Sequence, residues 1–201
     1  MAVTALTKRH FTQEEYLALE SKAPYKSQYV SGEIFAMAGA QPWHVKITGN
    51  IVAGLHARFR GRPCDVFFTD MRLRVKSRDL VTYPDVMALC GEPVYDTDSN
   101  PQSLLNPQVI FEVLSPSTEA FDRGEKFVRY RAIETLTEYV LVAPEQMRVE
   151  HYARQTDGRW LLSEYQLPEQ AVPLECVGCA LPLAEIYERV NFPRINEAPA
   201  S

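Results

Sequence analysis

The run IFEVLSPST, residues 110–118, constrains the fold of this chain more than any other stretch. Ile110, Phe111, Val113 and Leu114 are apolar, and Ser115-Pro116 ends the run, which is the pattern of a short interior strand of an α/β sheet. Glu112 stands in the middle of it. An unpaired carboxylate in such a strand is costly. Either a cation, a set of hydrogen bonds or a metal ion offsets that cost, or Glu112 sits at the strand end, where the sheet opens to solvent.

The segments around this strand alternate in the same α/β manner. FTQEEYLAL opens with Thr12 followed three residues later by Glu15, a capping box that starts a helix near residue 13. SQYVSGEIFAM reads as strand, Ser31-Gly32 turn and strand, with Glu33 at a strand start. WHVKITGNIVAGLHARF places Ile47, Ile51, Val52, Leu55 and Phe59 at helical spacing, with His44 in the first turn. DVFFTD, MRLRVK and TYPDVMAL supply two or three strands. Residues 91–107, rich in Pro, Asp, Ser and Asn, form a long excursion of the kind that is often functional or mobile. After the Glu112 strand, DRGEKFVRYRAI is a helix capped by Asp122 with Glu125, and EYVLVAP is another buried strand. A hairpin turning at Asp157-Gly158 and a last helix, LPLAEIYERV, complete the pattern, and NEAPAS frays.

At 201 residues and 22.9 kDa, the chain suits one domain over 1–201 with an ordered core of about 10–192, and 46% hydrophobic residues suffice for its interior. No run reaches the length of a membrane span, and the N-terminus lacks the apolar core of a signal peptide, so no membrane partner and a cytoplasmic location are expected. Cys64, Cys90, Cys176 and Cys179 form no disulfide framework, and the CxxC of ECVGCA has no second pair to complete a zinc set, which leaves reduced, half-buried thiols.

The net charge of -5 argues against a protein that coats nucleic acid, but not against local basic strips. In MRLRVKSRD, Arg72, Arg74, Lys76 and Arg78 fall on one face at strand period, either as a phosphate-contacting strip or as the solvated face of an edge strand. Arg58, Arg60 and Arg62 close a helix, where cations suit the dipole without any ligand.

Three acids stand in strand contexts that are otherwise apolar: Glu33, Asp85 and Glu112. Pro84 removes a ladder donor, so Asp85 belongs at a strand entrance or edge. If Glu112 pairs alongside it, two carboxylates converge with room for a hard cation. The plainer alternatives are a turn acid at Asp85, a structural ion pair between Glu112 and Lys126, and a first-turn His44 satisfied by a carbonyl.

Pro-Asp at a strand start, a long insertion, Glu within an apolar strand and a following helix bearing Lys126 together resemble the PD-(D/E)XK nuclease superfamily. The closer resemblance is to its Uma-type restriction endonuclease branch, through YVSGEIFAMAGA, WHVKITGNI, FFTDMRLRV, YPDVMAL, PQVIFEVLSPST and DRGEKFVRYRAI. The resemblance implies a restriction-endonuclease-like α/β core, with a mixed central β-sheet flanked by helices, that hydrolyses double-stranded DNA with Mg2+ or Mn2+. It implies Asp85 and Glu112 as metal ligands, Glu33 and His44 beside them, and a homodimer. The superfamily lysine, expected two residues after the Glu, is replaced here by Leu114. Lys126 on the following helix is then the candidate, with Tyr130 four residues on to position it or to touch the nucleic-acid backbone together with Arg72, Arg74 and Lys76. A non-catalytic binding or assembly module, with Glu112 and Lys126 as a structural pair, is the competing reading.

Overall fold

The computed structural model describes residues 10–37 and 39–192; the fraying expected of NEAPAS lies outside the described residues. Thr12 starts helix α1 (Gln13–Glu20): its hydroxyl accepts from the Glu15 N–H at 3.1 Å, and the Glu15 carboxylate accepts from the Thr12 N–H at 2.9 Å. Strands β1 (Ser27–Val30) and β2 (Glu33–Ala36) form the expected hairpin, turning through Ser31 and Gly32, both at positive φ. Helix α2 (Pro42–Phe59) starts with proline in its first turn, where no donor is missed, and buries Ile47, Ile51, Leu55 and Phe59. Each of those side chains contributes roughly 1.5–3 kcal/mol by leaving water.

Strands β3 (Cys64–Phe68), β4 (Arg72–Val75), β5 (Leu80–Thr82) and β6 (Val86–Cys90) come next. The 91–107 excursion is in part strand, β7 (Tyr95–Asp96) and β8 (Ser103–Leu104), and leads into β9 (Val109–Val113). The helix expected from Asp122 starts earlier, as α3 (Glu119–Phe121). It widens into a π-helical turn at Asp122–Lys126 and closes as α4 (Phe127–Tyr130), so Asp122 is inside the helix and not its cap. Strands β10 (Glu138–Val142), β11 (Val149–Arg154) and β12 (Trp160–Tyr165) follow, then the small hairpin β13 (Ala171–Leu174) and β14 (Cys179–Pro182). The last helix, α5 (Leu183–Ile186), is a single turn, shorter than its pattern suggests.

The fold is mixed α/β. One six-stranded sheet has the order β12-β11-β10-β9-β6-β3, with only β9 and β10 parallel, joined by the α3–α4 crossover. Alternate residues of its central strands serve two cores. Val86, Ala88, Val109, Phe111, Val113, Val140 and Val142 pack with α2, whereas Met87, Leu89, Ile110, Leu114, Tyr139 and Leu141 pack with Tyr130 and with Leu73, Val75 and Leu80 of a second sheet. That second sheet, also six-stranded, has the order β2-β1-β5-β4-β8-β7.

The second sheet overturns the basic-strip expectation. Arg72 and Arg74 are 1% and 4% exposed, because the face they share is covered by the chain itself. Arg74 is bonded to Asp96, Glu14 and Gln13, each at 2.6 Å, and Arg72 donates to the Pro101 carbonyl. Lys76 is 49% exposed but held by Asp96 at 3.0 Å and Asp98 at 2.9 Å, and it begins a 3-10 turn, so the strand period ends before it. Arg58 and Arg62 likewise bind Glu185 and the Val177 carbonyl. A second correction concerns the cysteines: Cys64 and Cys90 lie opposite each other on β3 and β6 and form a disulfide, while Cys176 and Cys179 are free thiols.

Candidate active site

The two strand acids come together because of register. Across the antiparallel β6–β9 ladder, Val86 pairs with Phe111 and Met87 with Ile110, so the next step sets Asp85 opposite Glu112. Pro84 keeps Asp85 at the strand entrance, and its Oδ2 accepts from the Val113 N–H at 2.7 Å, which fixes the carboxylate against the end of β9. His44, in the first turn of α2, places Nε2 3.2 Å from the same oxygen. Burial disfavours the imidazolium, but the hydrogen bond and charge of Asp85, followed by the charges of Glu112 and Asp122, outweigh it and raise the His44 pKa.

Glu112 is 3% exposed, on the face of β9 turned to the α3–α4 crossover. Its Oε1 accepts from Lys126 Nζ and from the Tyr130 hydroxyl, each at 2.8 Å. Lys126, 6% exposed, donates also to Asp122 Oδ1 at 3.1 Å, and the Asp122 carbonyl accepts from the Tyr139 hydroxyl at 2.9 Å. Thus Asp122, Lys126 and Tyr130, spaced by four, all turn toward one strand position. The π-helical turn that carries the first two is a feature often found at functional sites. Leu114 fills the adjoining core, so the ammonium reaches Glu112 from the helix instead of from β9.

Three carboxylates, Asp85, Glu112 and Asp122, thereby face one ammonium and one imidazole. Burial pushes the Glu112 pKa up to about 8; Lys126 pulls it down, and the charges of Asp122 and Asp85 push it up again. Burial also opposes charge on Lys126, but Glu112 and Asp122 outweigh it and raise its pKa. The two shifts pull opposite ways on an ion pair. Lys126 has two carboxylate partners, which favour its charged form, while burial and the neighbouring carboxylates favour the neutral form of Glu112.

Asp85, Glu112, His44 and Lys126 are therefore gathered into one cluster, the grouping that the family resemblance implies. Glu33, at the start of β2, lines an adjoining cleft. Tyr130 is fully buried and its hydroxyl donates to Glu112, which rules it out as a nucleic-acid contact. The sequence pattern makes Asp122 a helix cap; the signal that marks it for the cluster is its spacing of four from Lys126.

The donor set fits a hard cation with open coordination. Protein hydrogen bonds fall on Oδ2 of Asp85 and Oε1 of Glu112, so among the described residues the second oxygen of each carboxylate has no protein donor. No group of three or more His, Cys, Asp or Glu among the described residues is gathered as an all-protein metal cage. Two carboxylates, with waters and phosphate to complete the shell, is the arrangement Mg2+ and Mn2+ prefer.

Residues 13–184 match the family described as "Uma2: Putative restriction endonuclease". The chain belongs to that family. The match spans all five residues of the Uma2 cluster, from His44 to Lys126. Two Synechocystis sp. relatives extend the likeness: uncharacterized protein sll1609 is 41% identical over 164 residues (82% of this chain, 92% of the relative), and uncharacterized protein slr1290 is 32% identical over 179 residues (89% and 92%). The fold of this Uma2 protein is also that of a crystal structure described as a putative nuclease belonging to DUF820 from Anabaena variabilis, with a TM-score of 0.70 at 17% identity, covering 88% of this chain and 97% of that one.

Proposed function

We propose that the protein is an endonuclease that hydrolyses phosphodiester bonds of double-stranded DNA with Mg2+ or Mn2+. The observation that carries this reading is the Asp85–Glu112 pair, cross-strand, each acid with one oxygen open, and with the Lys126 ammonium bound to Glu112. A divalent ion held by Asp85 and Glu112 would polarise the phosphate and make a bound water more acidic. Lys126 spends two of its three N–H groups on Glu112 and Asp122, and the third is left to orient the attacking water or to steady charge on the phosphate oxygens. Its raised pKa makes it a donor and not a general base. His44 holds Asp85 in place and, when protonated, offsets part of the acidic surplus. Cutting both strands calls for two such sites and so for a homodimer. A cytoplasmic location fits this substrate, and no described helix is long and apolar enough to cross a membrane.

The enclosure of Glu112 and Lys126 also favours a second reading, a structural ion pair in a binding or assembly module. Plasmid and linear duplex DNA incubated with Mg2+ or Mn2+ separate the two. The nuclease reading expects metal-dependent cleavage by the wild type and a loss on the order of 100-fold or more in Asp85→Asn at unchanged melting temperature. Equal rates in the two proteins, or a wild type inert with either metal, would leave the structural pair as the reason for the cluster.

A further inference from the structure

Beside the cluster, a cleft of ≈ 500 Å³ separates the β1–β2 hairpin from the α3 segment. The geometry points to a subsite in this cleft for an unpaired or extruded nucleobase, with a preference for bases carrying an exocyclic amino group, guanine above all; the assignment of its ligand to DNA rests on the nuclease reading.

The π-helical turn joins the two places. Asp122 and Lys126 serve the carboxylate cluster, whereas Phe121 and Glu125, each one residue earlier, line the cleft. Neighbouring positions of one helical segment therefore serve the cluster and the cleft. From the facing hairpin come Phe35, 44% exposed, and Glu33. Two aromatic rings on opposite walls suit a planar, sequence-tolerant stacking partner.

The polar lining favours a hydrogen-bond donor over a phosphate as occupant. No Lys or Arg among the described residues lines the cleft itself; Arg129 binds two of its lining residues, Glu125 Oε1 at 2.6 Å and the Ser31 hydroxyl at 2.9 Å, which leaves Glu125 Oε2 as the carboxylate oxygen offered to a ligand. Carboxylates accept hydrogen bonds from ring N–H and amino groups. Guanine offers both side by side, cytosine and adenine offer an amino group, and thymine offers no amino group. Gln28, whose Oε1 already takes the Thr82 hydroxyl, is left to donate through its amide nitrogen to a base acceptor.

Ligand-observed NMR titrations of the full chain with the four deoxynucleoside 5′-monophosphates, and with deoxyribose 5-phosphate as the baseless control, test this directly. The expected result is saturation transfer to base protons, strongest for the guanine nucleotide, weakest for thymine and absent for the sugar phosphate. Phe35→Ala, at an exposed position that leaves the core intact, should weaken guanine binding about 5- to 150-fold, the equivalent of the ~1–3 kcal/mol of one stacking contact. Glu125→Gln should narrow the guanine-over-thymine ratio without abolishing stacking. Signals equal among the four bases, shared with the sugar phosphate or untouched by Phe35→Ala would overturn the subsite. Base-selective binding in a protein that cleaves no DNA would keep the subsite and reject the nuclease reading; cleavage without base selectivity would do the reverse.

Discussion

Replacing Glu112 with glutamine separates the electrostatics of the cluster from its packing. The amide oxygen can still accept from Lys126 and Tyr130, and the amide nitrogen takes the place of the oxygen that has no protein donor. What disappears is the ionisation. In the wild type, burial holds the Glu112 pKa at about 8 against an ordinary 4.5, so between these values the folded state binds a proton that the unfolded state releases. The stability associated with that proton is fully present at the acid end of the window and is lost as pH rises toward about 8. The slope is ~1.4 kcal/mol per pH unit, or ~4 kcal/mol over about three units. Urea melts of both proteins in chelator, at several pH values from about 5 to 8, give the difference directly, because the other titrating groups are common to both. The wild type should lose ground to Glu112→Gln steadily as pH rises. A difference that stays flat would mean that Glu112 is ionised throughout as a simple partner of Lys126, and would refute the surplus-charge argument.

Lys126→Met leaves Asp122 buried without its cation and Glu112 without its donor, and should destabilise the protein by roughly 3–5 kcal/mol in a denaturant melt near neutral pH. The raised His44 pKa makes its pairing with Asp85 a source of stability that is present at low pH and lost as pH rises through the folded value; an NMR titration should show that pKa fall in Asp85→Asn. Arg74→Met breaks the bonds to Asp96, Glu14 and Gln13 and should lower stability by a similar ~3–5 kcal/mol while leaving the salt dependence of DNA binding unchanged, since a buried guanidinium releases no counterions.

Local signals carried much of the fold. The Thr12–Glu15 capping box, the Ser31-Gly32 hairpin, the long amphipathic α2 and the apolar β9 and β10 strands are each dictated by residues close in sequence, and they appear as expected. What was hidden depends on partners far along the chain. The alternation of Arg72 and Arg74 shows that they share a face, but not that a second sheet and Asp96 cover it. The Cys64–Cys90 bond exists because the β3–β6 register sets those residues opposite each other, 26 positions apart. At the site, Asp85 and Glu112 are legible as charges out of place in their surroundings, whereas Lys126 is singled out only by the family resemblance. Asp122 is not legible, because an acid near a helix start has an ordinary local explanation, and only the π-helical turn and β9 show where its side chain goes.

If Asp85 and Glu112 form a divalent-cation site balanced by one proton, metal binding and proton release go together. Calorimetric titration of the wild type, Asp85→Asn and Glu112→Gln with Mn2+ near pH 7, in two buffers of different ionisation heat, tests it most directly. Saturable binding in the wild type with release of about one proton, and none in either variant, is the expected result. Mn2+ binding of equal strength in all three proteins, or no binding heat in the folded wild type, would contradict it.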